Sequence, residues 1–393
     1  MAKEVINKRT GKDEPFDIQN VGIVSGLQVG KVKGGDVKIT SQRRETTAPN
    51  RVLNEIVKAQ RGEIKINPLE VRRQLGAGPD TEYMLKNRRG PDFNQTDLLF
   101  ILKMYQWING QSDYTNISDP QFLCNKHTGE RGAVVIGEVN DDGNPVIPWP
   151  KLAADFYGYK EPKTSKEIAN VKNETDTYRR TVYDLCYKKE KRFIGVWDEP
   201  QADGKTTRIY KIINPLDFHI SERNGKKYVV LQLNEYFTNN GQSFVSWPTF
   251  GANFFDQFRN MKFQQATISL VILLFTMTAA STKNQTVAKD KTQAFREKGD
   301  DKTVIIEKRI SLKRLLLTIC RPFVEKRQNV NVWTCFAYAM KNAISSDIAI
   351  LTDFGGDSDF LAWVKNGAKP TAYKSYSEFY DKTTVTLYIK KSV

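Results

Sequence analysis

From Asn94 onward the apolar residues of this chain recur with a helical period, and Asn94 has the side chain to cap the helix that begins there. Leu98, Leu99, Ile101, Leu102, Met104 and Tyr105 are its apolar positions. A loop-rich stretch, 109–150, follows, with a strand expected at Ala133–Val139 and a turn at Asp141-Asp142-Gly143-Asn144-Pro145. A short helix is predicted from Lys151 to Tyr157, ended by Gly158 and Glu161-Pro162. A longer helix begins near Ser165 or near Asn173. Tyr178, Val182, Leu185 and Cys186, at i, i+4, i+7 and i+8, mark its inner face. Strands are predicted at Phe193–Trp197 and Thr207–Ile213, joined through Gln201-Ala202-Asp203-Gly204-Lys205, and again at Tyr228–Leu233.

The second half repeats this order without repeating the sequence. A long apolar helix spans about Phe254 to Ala280, and a basic loop leads to a strand at Thr303–Ile306. Ser311 is placed to cap a short helix to Thr318, which Arg321-Pro322 breaks. A longer helix is predicted from about Val324 to Ile344, with Val332, Phe336, Met340 and Ala343 on one face. Strands at Ile348–Leu351 and Val385–Ile389 follow, separated by an insertion, Asp353–Asp381. Upstream of Asn94 the pattern is weaker. Val21, Ile23, Leu27 and Val29, then Val37 and Ile39, flank Lys33-Gly34-Gly35-Asp36, whose glycines suit a hairpin turn. Residues 51–90 mix helix-like runs with the breakers Gly76-Ala77-Gly78-Pro79 and read as a connector.

Each half thus runs helix, short helix, break, longer helix, strand, turn, strand. That is the order of the winged-helix form of helix-turn-helix, in which the longer helix lies in the major groove and the strand pair forms the wing. The fold class expected is α+β, with two winged-helix domains in tandem (94–245 and 246–393) behind an N-terminal arm and connector (1–93).

Charge narrows the partner. Lys and Arg number 60 against 45 Asp and Glu, a formal net charge of +15 with a pI near 9.4, which favours a polyanion. Segment 281–345 alone carries about eight more positive than negative charges. A reading helix needs Arg, Lys, Asn or Gln near its start to reach base edges. Lys172, Asn173, Arg179 and Arg180 are the candidates in the first half, and Lys326, Arg327, Gln328, Asn329 and Asn331 in the second. Lys205, Arg208, Lys308, Arg309, Lys313 and Arg314 are placed to meet phosphates.

The tandem order resembles that of the iteron-binding replication initiators of plasmids, whose core is two winged-helix domains related by pseudo-symmetry. The segments that carry the resemblance are KLAADFYG (151–158), SKEIANVKNETDTYRRTVYDLCYKKEKRFIGVWDE (165–199), YVVLQLNEYF (228–237) and RISLKRLLLTICRPFVEKRQNVNVWTCFAYAMKNAI (309–344), spread over about residues 94–393. The resemblance implies binding to repeated double-stranded origin sequences, origin melting and recruitment of the host replicative helicase. It also implies a homodimer made through the first winged helix, which represses its own gene while monomers bind the origin. Residues 1–93 and the insertion Asp353–Asp381 lie outside that family's compact core.

Other signals point elsewhere and are weaker. Cys124, Cys186, Cys320 and Cys335 form no CxxC pair, which disfavours a disulfide framework or a zinc ribbon and suits a reducing cytoplasm. With only His127 and His219, no paired-histidine nicking site can be built, and Cys124-Asn-Lys-His127 has no second ligand pair. Asp353-Phe354-Gly355 is read as a turn, and GxxxxGK[ST] is absent. No secretory signal is read at the N-terminus, and the apolar run Ile268–Met277 is too short to span a bilayer. The expectation is a cytoplasmic, non-enzymatic DNA-binding protein with no cofactor and no membrane partner. The alternative is a viral or mobile-element packaging protein that binds RNA or single strands without sequence preference. Exposed aromatic rows would favour that alternative, but aromatics such as Tyr178 and Phe336 fall at apolar periodic positions.

Overall fold

The computed structural model describes residues 46–47, 50–64, 66–87, 93–113, 121–157, 165–201, 203–238, 249–250, 261–278, 285–297, 303–345 and 350–392. The fold mixes helices and antiparallel sheets in two compact units. In chain order β1 (Thr46–Thr47) belongs to the first unit and α1 (Asn50–Gln60) to the second. The first unit continues with α2 (Pro68–Leu75), α3 (Pro79–Asn87), α4 (Gln95–Gln111), β2 (Ala133–Val139), β3 (Pro145–Val146), α5 (Trp149–Tyr157) and α6 (Ser165–Tyr187). Two hairpins follow, β4 (Phe193–Pro200) with β5 (Thr206–Ile213) and β6 (Leu216–Arg223) with β7 (Lys226–Leu233), then α7 (Glu235–Thr238) and β8 (Thr249–Phe250), which pairs with β1.

Asn94 caps α4 as its sequence anticipates. Its Oδ1 accepts from the Asp97 amide at 2.9 Å and its own amide donates back to Asp97 Oδ2 at 2.9 Å, a reciprocal capping box. Because α4 is apolar on more than one side, Leu98, Phe100, Ile101, Met104, Tyr105, Trp107 and Ile108 are all buried. Rings of Phe100, Trp107, Trp149, Phe156 and Tyr178 join α4, α5 and α6 into one core. The main sheet has the order β3-β2-β7-β6, so the strand that follows the helices last in sequence pairs between the first strand and its own hairpin partner.

The β4–β5 hairpin, expected from sequence to be the wing, is a separate two-stranded sheet. Residues expected to be connector supply its cover. Val71, Met84 and Leu85 of α2 and α3 pack on Ile194 and Tyr210. The Gln74 amide closes the edge of β5, donating to Arg208 O at 2.8 Å and accepting from Tyr210 N at 2.9 Å.

In the second unit α8 (Gln264–Thr278) is the central element, buried from Ala266 to Leu274, with α1, α10 (Leu312–Glu325) and α11 (Asn329–Ser345) packed around it. Around these run β9 (Thr286–Val287), α9 (Lys289–Arg296), β10 (Thr303–Ser311), β11 (Leu351–Gly355), α12 (Ser358–Asn366), α13 (Tyr376–Lys382) and β12 (Thr384–Ser392). The sheet order is β11-β12-β10-β9, all antiparallel. No helix among the described residues is long and apolar enough to cross a membrane.

Four sequence expectations are corrected. The break expected at Arg321-Pro322 is present just ahead of the proline, at Cys320 (φ −146°), but a further helical turn carries the element past Thr318 to Glu325. A second break comes at Lys326–Gln328, where Arg327 takes a left-handed φ of 55°, so the next helix starts at Asn329 rather than Val324. Asp353-Phe354-Gly355 is strand, not turn, and the rest of the insertion Asp353–Asp381 contains α12 and most of α13. Finally, α1 is core of the second unit rather than connector, with Leu53, Ile56 and Val57 buried. The hairpin expected at Gly34-Gly35 lies outside the described residues.

Candidate nucleic-acid interface

α11 has one face made for the core and one left to solvent. Val332, Cys335, Phe336, Ala339, Met340 and Ala343 are buried. On the opposite arc, at the same 3.6-residue spacing, lie Val330, Asn331, Thr334, Ala337, Tyr338 and Lys341. Val330 is 74% exposed, and the segment 329–345 contains no Asp or Glu. Small, neutral side chains at the start of this arc leave room for close approach to another surface.

The turn ahead of α11 brings the second-half candidates together. Lys326, Arg327 and Gln328 are all exposed there, and no ion pair engages Lys326 or Arg327 among the described residues. The Asn331 amide donates to Gln328 Oε1 at 3.2 Å. Asn329 is more structural than free, since its Oδ1 accepts from the Tyr380 hydroxyl at 3.4 Å. The insertion therefore braces this turn from behind. Trp333 Nε1 also donates to Val364 O at 3.1 Å, and Gly367 (φ 73°) lies so close that a Cβ there would meet the Trp333 ring at 2.8 Å.

Three of the other four basic candidates of this unit are engaged with carboxylates. Arg314 makes two bonds to Glu63, Nε at 3.0 Å and an Nη at 3.2 Å, and its pKa is raised by them. Lys313 pairs with Asp381 at 2.6 Å and Arg309 with Glu307 at 3.2 Å, while Lys308 is half-buried on β10. Exposed pairs like these are worth little and can re-pair with phosphate, but they begin from neutral.

In the first unit, Lys172, Asn173 and Arg180 are exposed on α6. Arg179 is half-buried 3.7 Å from Asp176, and Glu174 and Asp184 lie on the same helix. Lys205 and Arg208 are on the β4–β5 hairpin, paired with Asp203 at 3.3 Å and with Asp198 at 3.1 Å. The hairpin that continues the main sheet is β6–β7. Its turn, Asn224-Gly225, has positive φ at both residues (55° and 72°), and every residue from Glu222 to Lys227 is exposed. Arg223, Lys226 and Lys227 at this tip were missed from sequence, although Asn-Gly between two strand-like runs is the signal that finds such a hairpin.

Beside this tip the loop 125–131 is fixed to β6. His219 Nδ1 lies 2.9 Å from Asp217 Oδ2 and Nε2 lies 3.0 Å from Glu130 Oε2, while Ser221 donates to Glu130 Oε1 at 2.8 Å. The hydrogen bond to Asp217 raises the His219 pKa, with Glu130 adding to it against burial. The Arg223 guanidinium lies over Gly129. Among the described residues no group of three or more His, Cys, Asp or Glu is arranged to hold a metal ion.

No protein-family model, characterised protein or solved structure matches this chain.

Proposed function

We propose that this protein binds double-stranded DNA in a sequence-specific manner through two winged-helix units, and that it acts at a replication origin with repeated sites. The observation that carries the proposal is a strand order that occurs twice. After a helix, a strand and a helix pair, the order is β2-β7-β6 in the first unit and β10-β12-β11 in the second. In each, the last strand lies between the first and its own sequence neighbour, which is how a wing joins a helix-turn-helix. The second unit's candidate reading helix is α11, preceded by the basic turn 326–328.

Duplex is favoured over single strands by where the aromatics are. The large apolar side chains left exposed among the described residues are Leu69, Ile220, Val330, Ile344 and Leu361, none of them aromatic, whereas a single-strand platform needs rings in the open. The initiator role, a dimer through the first unit, a host helicase as partner and a cytoplasmic location rest on the pattern resemblance alone. The test is binding to duplex fragments of the encoding replicon, with excess non-specific competitor, at two salt concentrations. Competitor-resistant binding to a fragment with short direct repeats supports the proposal. Weak, salt-sensitive binding to every fragment, single strands included, refutes it and indicates a packaging protein.

A further inference from the structure

Val330 is the exposed large apolar residue that follows the cations Lys326 and Arg327 at the start of α11. It is 74% exposed on an arc whose other early positions are Asn331 and Thr334, three residues after Arg327 and four after Lys326. It lies on the arc that the core does not use. Next to it, one proton of the Asn331 amide is engaged by Gln328 Oε1. The second N–H and the Oδ1 of this exposed side chain are the donor and acceptor types that match adenine N7 and N6. The array is held in place, since Asn329 and Trp333, on the flanking side of the same turn, are bonded to Tyr380 and Val364 of the insertion.

We infer that Val330 and Asn331 are specificity-determining residues which read an A·T-containing step in the major groove, Val330 against a thymine 5-methyl group and Asn331 against an adenine edge. The inference rests on the duplex-binding proposal and deepens it by naming the chemistry of the site. Apolar contact with the thymine methyl and paired hydrogen bonds to adenine are the contacts these two side-chain types make in that groove. Lys326 and Arg327, at the entry to the helix, would then meet the flanking phosphates.

The experiment uses the full chain. Its preferred duplex is selected from a randomised library, and each thymine of that duplex is then replaced by deoxyuridine, which removes the methyl and nothing else. One replacement is expected to weaken binding about fourfold, the loss of one buried methyl at ~0.8 kcal/mol. The Val330→Ala chain, which shortens a side chain that is 74% exposed, is expected to melt like the parent and to bind the two duplexes equally. In parallel, 7-deazaadenine at one adjacent adenine is expected to cost the parent affinity and to cost Asn331→Ala nothing further. Selective binding that tolerates uracil at every position, or a methyl penalty that persists in Val330→Ala, overturns the inference and leaves the duplex-binding proposal standing. Recovery of no preferred duplex overturns both.

Discussion

His219 holds the loop that carries Glu130 against strand β6 with both ring nitrogens engaged, and only its protonated form can donate to Asp217 and Glu130 together. Its pKa is raised in the folded chain, so the stabilisation is fully present below the ordinary histidine value of about 6.5 and is lost as pH rises through the folded value. Asp217 runs the other way. The His219 bond lowers its pKa, so its contribution is present above the ordinary carboxylate value and is lost only as pH falls through the folded one. The cluster is therefore strongest on the mildly acidic side of neutrality. Thermal melts followed from about pH 6 to about pH 9 should show stability declining with pH, and His219→Gln should flatten that decline. An unchanged alkaline slope in the variant would remove His219 from the account. Arg314 shows the limit of sequence at this same scale: it looks free, but its partner Glu63 is 251 residues away along the chain.

At the scale of elements, the insertion within the second sheet acts as a brace rather than a loop. Gly367 ends α12 in a left-handed conformation and packs on the Trp333 ring, so Gly367→Ala meets a conformational cost of about 1–2 kcal/mol and a steric clash with that ring. We expect this variant to fold with lowered stability in a denaturant titration, and to bind duplex DNA more weakly although Gly367 touches no base in the proposal. Parent-like affinity in a destabilised chain would separate the brace from the reading turn. Elements of this kind were unevenly legible. The α4 helix could be read because its cap, its period and its burial agree, and α11's inner face could be read from Val332, Phe336, Met340 and Ala343. Pro322 marks the bend at Cys320 just ahead of it, but not the further helical turn to Glu325, which no local signal announces. Strand β6 does carry a local signal, since Leu216, Phe218 and Ile220 alternate with polar residues ahead of Asn224-Gly225, although at the sheet edge Ile220 is left exposed. Which of two hairpins extends the main sheet is set by long-range pairing with β2, which no local signal records.

At the scale of the whole molecule, the order of the chain is not the order of its packing. α1 precedes every described helix of the first unit, yet its Leu53, Ile56 and Val57 belong to the core around α8. The C-terminal end of α1 is capped from within that unit, where Arg321 donates to Ala59 O at 3.1 Å and to Gln60 O at 3.5 Å. Leu53→Ala should cost about 2–5 kcal/mol, as other buried leucine truncations do. Hydrogen exchange should show the loss in α8 and α10 as well as in α1. A change confined to α1 would return it to the role of a connector.

Charge is distributed on the same scale, and it decides where a polyanion gains most. The formal +15 is spread over the chain, but many cations named from sequence already face a carboxylate, whereas Lys326 and Arg327 have none among the described residues. Each phosphate contact releases counterions and contributes roughly 0.9 to the slope of log affinity against log salt. The double variant Lys326→Ala, Arg327→Ala should therefore flatten that slope by close to two such contacts and weaken binding to all duplexes alike, with the melting temperature unchanged. Arg179→Ala with Arg180→Ala should weaken binding without unfolding the chain, but flatten the slope less, because Arg179 starts beside Asp176 on a helix with further acids. Arg314→Ala should change stability through Glu63 more than it changes the slope. If the Arg179 and Arg180 pair carries the larger salt term, α6 and not α11 is the helix that binds most tightly to the duplex, and the preference drawn here between the two units reverses.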